Sequence, residues 1–276
     1  EKVIANIKNQ SKKDVDKITE YRKEYIEKDR ILRETQVGNI QKDKTVGVGE
    51  KSKLVRPVKI IINFAKKIVT TATAFEVGEP VSLIASDENN LSKLFRQIWK
   101  TNRIDNKINK LVYLKKAETQ SAIQFYIADL KEESILNKIL VKIGLKTQKK
   151  EIKSKILANS DGIMTPYFDN KGDMILFMWQ YKAKDDVLGK EFNHTEIWDA
   201  EKYHYLNDSS GKMLLIGNPL PHGFDRIPIV YLSQDEPEWF DVKEMIDRIE
   251  TSLSKLGDSN DYTAYPLLQI FGEVKS

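Results

Sequence analysis

Apolar positions at helical spacing near the start of the chain predict two amphipathic helices with a loop between them. The first helix covers residues 12–34. Residues 34–53 lose this periodicity among polar residues and glycines, which predicts an extended or mobile loop. The second helix begins at Pro57, because proline suits the first helical turn, and it stops at Gly78 and Pro80.

A third helical pattern covers residues 91–116 and follows capping side chains at residues 87–90. Its apolar face is interrupted near Asn102, which indicates a break. Around Ser121 the apolar period changes from helical to alternating, as is typical of a β-strand. The pattern therefore predicts a broken helix that leads into the first strand of a sheet.

Turn signals then divide the chain into short strands. Residues 164–168 and 174–181 flank the turn Asp169-Asn170-Lys171-Gly172 and predict a hairpin. Further strands are predicted at residues 152–157, 196–198, 203–206 and 213–216. Helices followed by an antiparallel meander and a last helix predict an α+β fold, since parallel crossovers would require strands and helices to alternate.

The C-terminal region combines a strand, residues 227–232, with a long amphipathic helix. The helix carries apolar residues at positions i, i+3, i+4 and i+7 over four turns: Val242, Met245, Ile246, Ile249, Leu253 and Leu256. Trp239-Phe240 just before it indicates a hydrophobic staple or a contact with a neighbouring subunit. The small polar segment after Gly257, taken alone, is typical of a frayed helix end.

Composition limits the classes of protein that remain. The 276 residues are 40% hydrophobic, which allows the core of one large domain or two small ones. No apolar run approaches the roughly 18 residues of a membrane span, so we expect no membrane association. The absence of cysteine excludes disulfides and thiolate metal sites. The chain begins without an initiator methionine, and we expect a trimmed end.

Charge is distributed unevenly along the chain. Residues 1–66 carry 17 basic and 10 acidic side chains, and residues 93–155 carry 16 and 6, whereas residues 161–276 carry 11 and 21. A basic front is typical of solvated helix faces, and the alternative is contact with nucleic acid or an acidic partner. Tyr21 and Tyr25 in this region could stack on bases, but their helical spacing favours packing in a core or between subunits.

No motif in the sequence indicates catalysis. The run from Gly47 to Ser52 resembles a phosphate-binding loop but has Glu50 where that loop needs glycine, so we predict a flexible loop. His194, His204 and His222 lack metal-ligand spacing and are predicted to be strand or turn residues. Without a nucleophile elbow or paired metal ligands, the sequence predicts no enzyme, no cofactor and no metal site.

The ordered set of motifs closely resembles the portal proteins of tailed double-stranded DNA bacteriophages of the long-tailed siphophage type. The match runs from about Val58 to Gly272 and includes a Gly-Glu-Pro-Val turn, a strand similar to Glu196-Ile197-Trp198-Asp199, and a helix with Met245-Ile246-Asp247. The positions that define the motifs are Gly78, Pro80, Gly223, Ile227 and Pro228.

The resemblance implies a portal-like organisation of the chain. It implies an N-terminal helix and mobile loop (1–54), a wing region (55–240) and a helix leading into the stem (241–276), with the clip and crown of the family absent from this chain. The strand after Gly223 is expected to close the wing sheet. The lysine-rich stretch 131–150 is expected to be an insertion.

The resemblance also implies a structural function and not an enzymatic one. About a dozen subunits would form a ring at one capsid vertex of the virion, assembled in the bacterial host cytoplasm, through which DNA is packaged and ejected. Its partners would be other copies of itself, double-stranded DNA, and the capsid, scaffold, terminase and tail adaptor proteins. The alternative is a nucleic-acid-binding module that uses the basic N-terminal half.

The family places residues 253–265 near the DNA channel, so the resemblance implies channel-facing or stem-facing roles for Lys255, Asp258, Asn260 and Asp261. Lysine and arginine contacts to phosphate release counterions and bind DNA strongly. Asp258 and Asp261, repeated around a ring, would instead repel the DNA backbone and give a channel of low friction.

Overall fold

The computed structural model describes residues 15–26, 44–46, 53–55, 58–85, 87–129, 150–184, 191–208, 213–215 and 217–263. The predictions for the loop 47–52 and the stretch 131–149 lie outside these residues. The chain divides into two compact units: Glu1–Thr19 with Thr70–Pro237, and Glu20–Val69 with Glu238–Ser276. The division at residues 54/55 and 240/241 drawn from the sequence stays a prediction.

The described residues form helices and antiparallel strands, which agrees with an α+β fold. The helices are α1 (residues 15–25), α2 (Phe64–Val77), α3 (Asn90–Thr101), α4 (Ile104–Glu118) and α5 (Lys243–Thr263), with a 3-10 turn at Phe240–Val242. The strands are β1 (Lys44–Val46), β2 (Lys53–Val55), β3 (Gln120–Asp129), β4 (Lys150–Leu157), β5 (Gly162–Phe168), β6 (Met174–Lys184), β7 (Glu191–Trp198), β8 (Lys202–Asp208), β9 (Met213–Leu215), β10 (Leu220–Pro221) and β11 (Ile229–Ser233).

The break in the third predicted helix is confirmed at Asn102, between α3 and α4. The Asn102 side chain donates to the carbonyl oxygens of Ile98 and Ile152 at 3.0 and 2.9 Å. Its oxygen accepts the Ser154 amide at 2.8 Å. One buried side chain thus satisfies backbone groups of both the helix end and β4, which fixes the break against the sheet. The predicted N-cap is confirmed as well, because the Asn89 side chain accepts the Ser92 amide.

Six strands form the predicted meander, in the order β10-β8-β7-β6-β5 with β9 paired to β8. The predicted hairpin is confirmed by the antiparallel pairing of β5 with β6. In its turn the Asp169 carboxylate accepts the amides of Lys171 and Asp173, and Gly172 has the positive φ that such a turn favours.

The strand after Gly223, expected to close the wing sheet, does not join this meander. That strand, β11, pairs with β3 in a separate three-stranded sheet of order β11-β3-β4. The reason is burial, since Ile229 packs with Ala122 and Leu157 of its own sheet against Phe177 and Trp198 of the meander. Joining the meander instead would remove Ile229 from this core.

The unit that contains both sheets has three layers. One face of the three-stranded sheet meets the meander through the core just described. The opposite face carries Ile123 and Phe125, which pack against Ile104 and Leu111 of α4. Strand periodicity explains this arrangement, because residues two apart along β3 share a face.

The second unit corrects three expectations from the sequence. The predicted loop 34–53 contains β1 and the start of β2, which pair antiparallel. The second helix begins at Phe64 and not at Pro57: residues 58–63 are not helical, and Asn63 with φ 52° caps the helix by accepting the Lys66 amide. The last helix does not fray at Gly257 but continues to Thr263.

Helix α1 is confirmed over residues 15–25, and its Tyr21 packs edge-on against Trp239 and Phe240, with ring centroids 6.0 and 6.2 Å apart. Trp239 is only 1% exposed. These contacts confirm the packing role favoured for Tyr21 over base stacking. Among the described residues, no helix combines the length and the apolar character needed to cross a lipid bilayer.

Candidate functional site

Helix α5 buries polar side chains together with Ile246, and it exposes several apolar side chains. Asp247, Glu250 and Ser254 are at most 4% exposed, whereas Met245 is 64% and Leu256 56% exposed. Helices on the surface of soluble proteins normally do the opposite. The four-turn apolar pattern therefore predicted the helix correctly but did not reveal which of its faces is covered.

The buried polar face of α5 binds the backbone of the extended segment 58–62. Asp258 Oδ1 accepts the Val58 amide at 2.6 Å, Ser254 Oγ accepts the Ile60 amide at 3.0 Å, and Glu250 Oε1 accepts the Ile62 amide at 3.2 Å. We call these three bonds the amide ladder. The ladder explains both the buried polar residues of α5 and the absence of helix at residues 58–62.

Helix and strand geometry account for the spacing of the ladder. Four residues of an α-helix advance about 6.0 Å. Two residues of extended chain advance about 6.6 Å. Every fourth side chain of α5 therefore meets every second amide of the segment, in antiparallel order, without distortion of either element.

Two residues of α5 fit the ladder in detail. The Ser254 hydroxyl donates its hydrogen to the Glu250 carbonyl at 2.8 Å, which leaves its oxygen free to accept the Ile60 amide. Gly257 lies where the segment approaches most closely, since a Cβ there would be 3.0 Å from Val58 Cγ1 and 3.3 Å from Ile60 Cδ1. Glycine costs about 1 kcal/mol inside a helix. Here it makes the close approach possible.

Comparison with known proteins identifies the family. A family model described as phage portal protein, SPP1 Gp6-like, matches residues 4–275. The chain belongs to this phage portal family. No curated protein matches the chain. The portal family is structural and non-enzymatic, and the match does not favour the alternative of a nucleic-acid-binding module.

The residues predicted to face the portal channel differ in their surroundings. Lys255, Asn260 and Asp261 are exposed on α5, while Asp258 is half-buried and holds the Val58 amide. Lys255, Asp258 and Asp261 stand at i, i+3 and i+6 and so follow one side of the helix, whereas Asn260 is rotated by about 100° from Asp261. Their orientation toward a channel stays a prediction, and Asp258 has a structural task within the subunit.

The motif residues of this portal protein have identifiable structural roles. A Cβ at Gly78 would lie 2.3 Å from the Ala74 carbonyl oxygen, so only glycine fits after α2. Gly223 has φ +76°, which favours glycine. Pro228 accepts the Phe125 amide at 2.7 Å, and Ile227 packs on the core between the sheets. Pro80 lies three residues after the last residue of α2 and is exposed.

The three histidines occupy structural positions, as predicted. His194 lies within β7 between the rings of Tyr181 and Tyr205. His204 Nε2 lies 3.1 Å from Asp199 Oδ2. His222 Nε2 donates to the Asp199 carbonyl, so its Nδ1 accepts the Phe224 amide. Asp199 thus contacts both His204 and His222. Burial alone would raise the pKa of Asp199, but the amides of Lys202 and Glu201 and the His204 ring lower it below its ordinary value.

Sequence reasoning did not find Glu250 and Ser254. Their signal is the four-residue spacing of Glu250, Ser254 and Asp258 on a helix whose apolar stripe lies elsewhere. Opposite them, the run from Val58 to Ile62 is rich in β-branched residues, which favour extended chain over helix.

Proposed function

We propose that this chain is a subunit of a portal ring at a capsid vertex, through whose channel DNA is packaged and later ejected and at which the head joins the tail. The observation that supports this most is the exposed apolar stripe of α5. The polar face of the helix is already occupied by the amide ladder, so Met245, Ile249 and Leu256 have no cover from it.

A neighbouring copy of the chain provides the most economical cover for this stripe. Exposed apolar patches of this kind mark interaction surfaces in soluble proteins. A closed ring uses heterologous contacts, in which two different surfaces of each subunit are complementary. A second exposed apolar group, Leu91, Leu94 and Phe95 on α3, is 73%, 52% and 50% exposed and provides another such surface. About a dozen subunits and contacts with capsid, scaffold, terminase and tail adaptor proteins belong to the same proposal.

The channel lining forms the second part of the proposal. Asp261, exposed on α5 and repeated around the ring, repels DNA phosphates and keeps the channel from adhering to DNA. Lys255 and Asn260 share the exposed part of the helix. Asp258 contributes to the lining only indirectly, by holding the helix on the segment 58–62.

A substitution within the stripe tests ring formation. The double variant Met245→Glu, Leu256→Glu should remain folded by circular dichroism but lose rings in negative-stain images and in sedimentation. Ile175→Glu is a matched control, since Ile175 is 48% exposed on β6 outside the stripe. Rings that persist in the double variant would contradict the proposal, as would rings lost equally in the control.

Charge reversal tests the lining. Asp261→Lys should leave ring formation intact and slow DNA packaging or ejection, because the added cations bind phosphate. Asp258→Lys should act differently and reduce the stability of the subunit itself. Unchanged DNA transport by Asp261→Lys rings would exclude the lining role.

A further inference from the structure

The meander presents a grid of aromatic side chains with one carboxylate at its centre. Register places Glu196 of β7 between Trp179 of β6 and Tyr205 of β8. His194 and Trp198 flank it along its own strand. Because strand residues two apart and register partners share a face, all of these side chains point toward the three-stranded sheet.

Glu196 is only 5% exposed, yet it is surrounded mainly by rings. Tyr181 Oη donates to its Oε1 at 2.9 Å and Trp198 Nε1 donates to its Oε2 at 3.3 Å. A carboxylate offers about four acceptor positions, so this one has capacity for further donors. Burial and the charge of Glu196 raise the pKa of Tyr181 and Tyr205, which keeps both phenols protonated.

The carboxylate lines a cleft between the two sheets. The cleft has a volume of about 620 Å³ and is lined on the meander side by Glu196, Trp198, Tyr203 and Tyr205, and on the other side by Gln124. Its size falls within the range of about 300–1,000 Å³ typical of ligand sites. Trp198 and Tyr203 both line the cleft, and their rings stack face to face with centroids 4.8 Å apart and an angle of 22° between the ring planes.

Gln124 adds a second acceptor that lacks a donor. It is 2% exposed, and its Oε1 has no hydrogen-bond partner within the described part of the chain. Buried polar atoms are normally paired, and each exception calls for an explanation such as a missing ligand. The cleft therefore offers two buried acceptors with capacity for further donors, next to aromatic rings.

Lysines at the cleft do not neutralise Glu196. Asp129 and Lys150 are register partners at the exposed ends of β3 and β4. Lys155, the register partner of Gln124, is half-buried. Among the described residues, no lysine or arginine nitrogen lies within the 4.0 Å of Glu196 that defines an ion pair.

We propose that this cleft binds a guanidinium group, as carried by an arginine side chain of a protein segment or by a free arginine derivative. Guanidinium is planar, carries five N–H donors and no acceptor, and stacks on aromatic rings. It pairs with the Glu196 carboxylate, donates to Gln124 Oε1 and lies against an aromatic ring of the cleft lining, where cation–π attraction adds to the contact. Lys155 opposes the bound cation.

Calorimetric titration of the whole chain with N-acetyl-arginine amide tests the proposal, with N-acetyl-citrulline amide as a neutral probe of the same shape. The arginine probe should bind at least about tenfold more tightly than the citrulline probe. An arginine-containing tripeptide that binds more tightly than the amide indicates a protein segment as the source, and equal affinity indicates a free compound. Both outcomes support guanidinium binding.

Variants then assign the binding to this cleft. Glu196→Gln should weaken binding by about tenfold or more, since it removes the counter-charge. Gln124→Met should also weaken binding of the arginine probe, without a change in charge. This variant provides the test if Glu196→Gln does not fold. Lys155→Met should strengthen binding, because it removes a repelling cation. Asp173→Asn, in the β5–β6 turn, is the matched control and should have no effect.

The opposite results would overturn the proposal. These are no saturable binding of the arginine probe to the wild-type chain, equal binding of the citrulline probe, spermidine binding as tightly as arginine, or unchanged affinity in both Glu196→Gln and Gln124→Met. Weaker binding in Lys155→Met would also overturn it, because that result indicates a site for an anion.

Discussion

Helix α4 lies with Ile104 and Leu111 buried against the three-stranded sheet, whereas helix α5 buries Glu250 and Ser254 against the extended segment 58–62. The difference follows from the backbone that each helix covers. In a sheet the amides are already paired with neighbouring strands, so a helix that packs on it needs only apolar side chains. A single extended segment has unpaired amides, and a helix that covers it must supply acceptors.

The same difference determines what each helix leaves exposed. On α4 the buried apolar face leaves Lys110 exposed to the solvent. On α5 the acceptors occupy the inside, so Met245 and Leu256 remain outside. The polar residues buried within the subunit thus leave an apolar surface exposed, and this is the surface that we propose for contacts between subunits.

The largest expected effect comes from replacing one leucine with alanine on each of the two helices. Leu111→Ala on α4 should lower the free energy of unfolding by about 3 kcal/mol, because Leu111 is 4% exposed and its loss leaves a cavity. Leu256→Ala on α5 should cost less than about 0.5 kcal/mol in the isolated subunit. Urea unfolding at concentrations below ring assembly measures both. A large loss for Leu256→Ala would mean that the stripe is covered within the subunit.

The carboxylates of α5 provide a second, smaller contrast. Asp258→Ala should destabilise the subunit by about 1.5 kcal/mol more than Asp261→Ala, because only Asp258 holds a backbone amide. Both changes gain the same helix propensity and remove a charge near the same helix end, so these contributions cancel in the difference. Thermal and urea unfolding measure it. Equal stability of the two variants would show that the bond to Val58 contributes nothing.

Much of the sheet unit was predictable because its signals are local. The break at Asn102, the cap at Asn89 and the turn at Asp169 each depend on residues within a few positions. The hairpin and the strands followed from alternation and turn residues. The pairing partner of β11 was not predictable in this way, because it depends on which core buries Ile229.

The ladder could not be predicted from local patterns. Val58, Ile61 and Ile62 fit helical spacing as well as extended chain, and the bonds that decide between them come from residues nearly 200 positions away. Which face of α5 is exposed could not be predicted for the same reason, since it depends on these long-range bonds. Glu196 was part of a recognised strand motif, but its environment became visible only with the register of three strands.

The serines of α5 refine the contrast further. Ser254→Ala should cost about 1 kcal/mol, because the buried Ile60 amide loses its acceptor. Ser252→Ala is the matched control: Ser252 is exposed and donates only to the Arg248 carbonyl, so its loss should change stability by less than about 0.5 kcal/mol. Hydrogen exchange of the Ile60 amide gives a direct reading. Unchanged protection of that amide in Ser254→Ala would argue against the ladder.

The smallest expected effect concerns the polar side of α4. Its Lys116 and Lys115 each lie 3.0 Å from Glu76, and mainly through the bond to Lys116 they hold the pKa of Glu76 below its ordinary value of 4.5. A carboxylate with a lowered pKa in the folded state stabilises the fold above its ordinary pKa and loses this contribution as the pH falls through the folded value. The Glu76 side chain is 40% exposed, so the contribution should not exceed about 1 kcal/mol and should shrink in high salt. The measurement is the free energy of unfolding of wild type and of Glu76→Gln between pH 7 and pH 3. The difference between the two proteins should shrink as the pH falls, with the pH dependence of about one carboxyl group. A stability difference that stays constant over this range would mean that the contacts of Glu76 act through packing and not through charge.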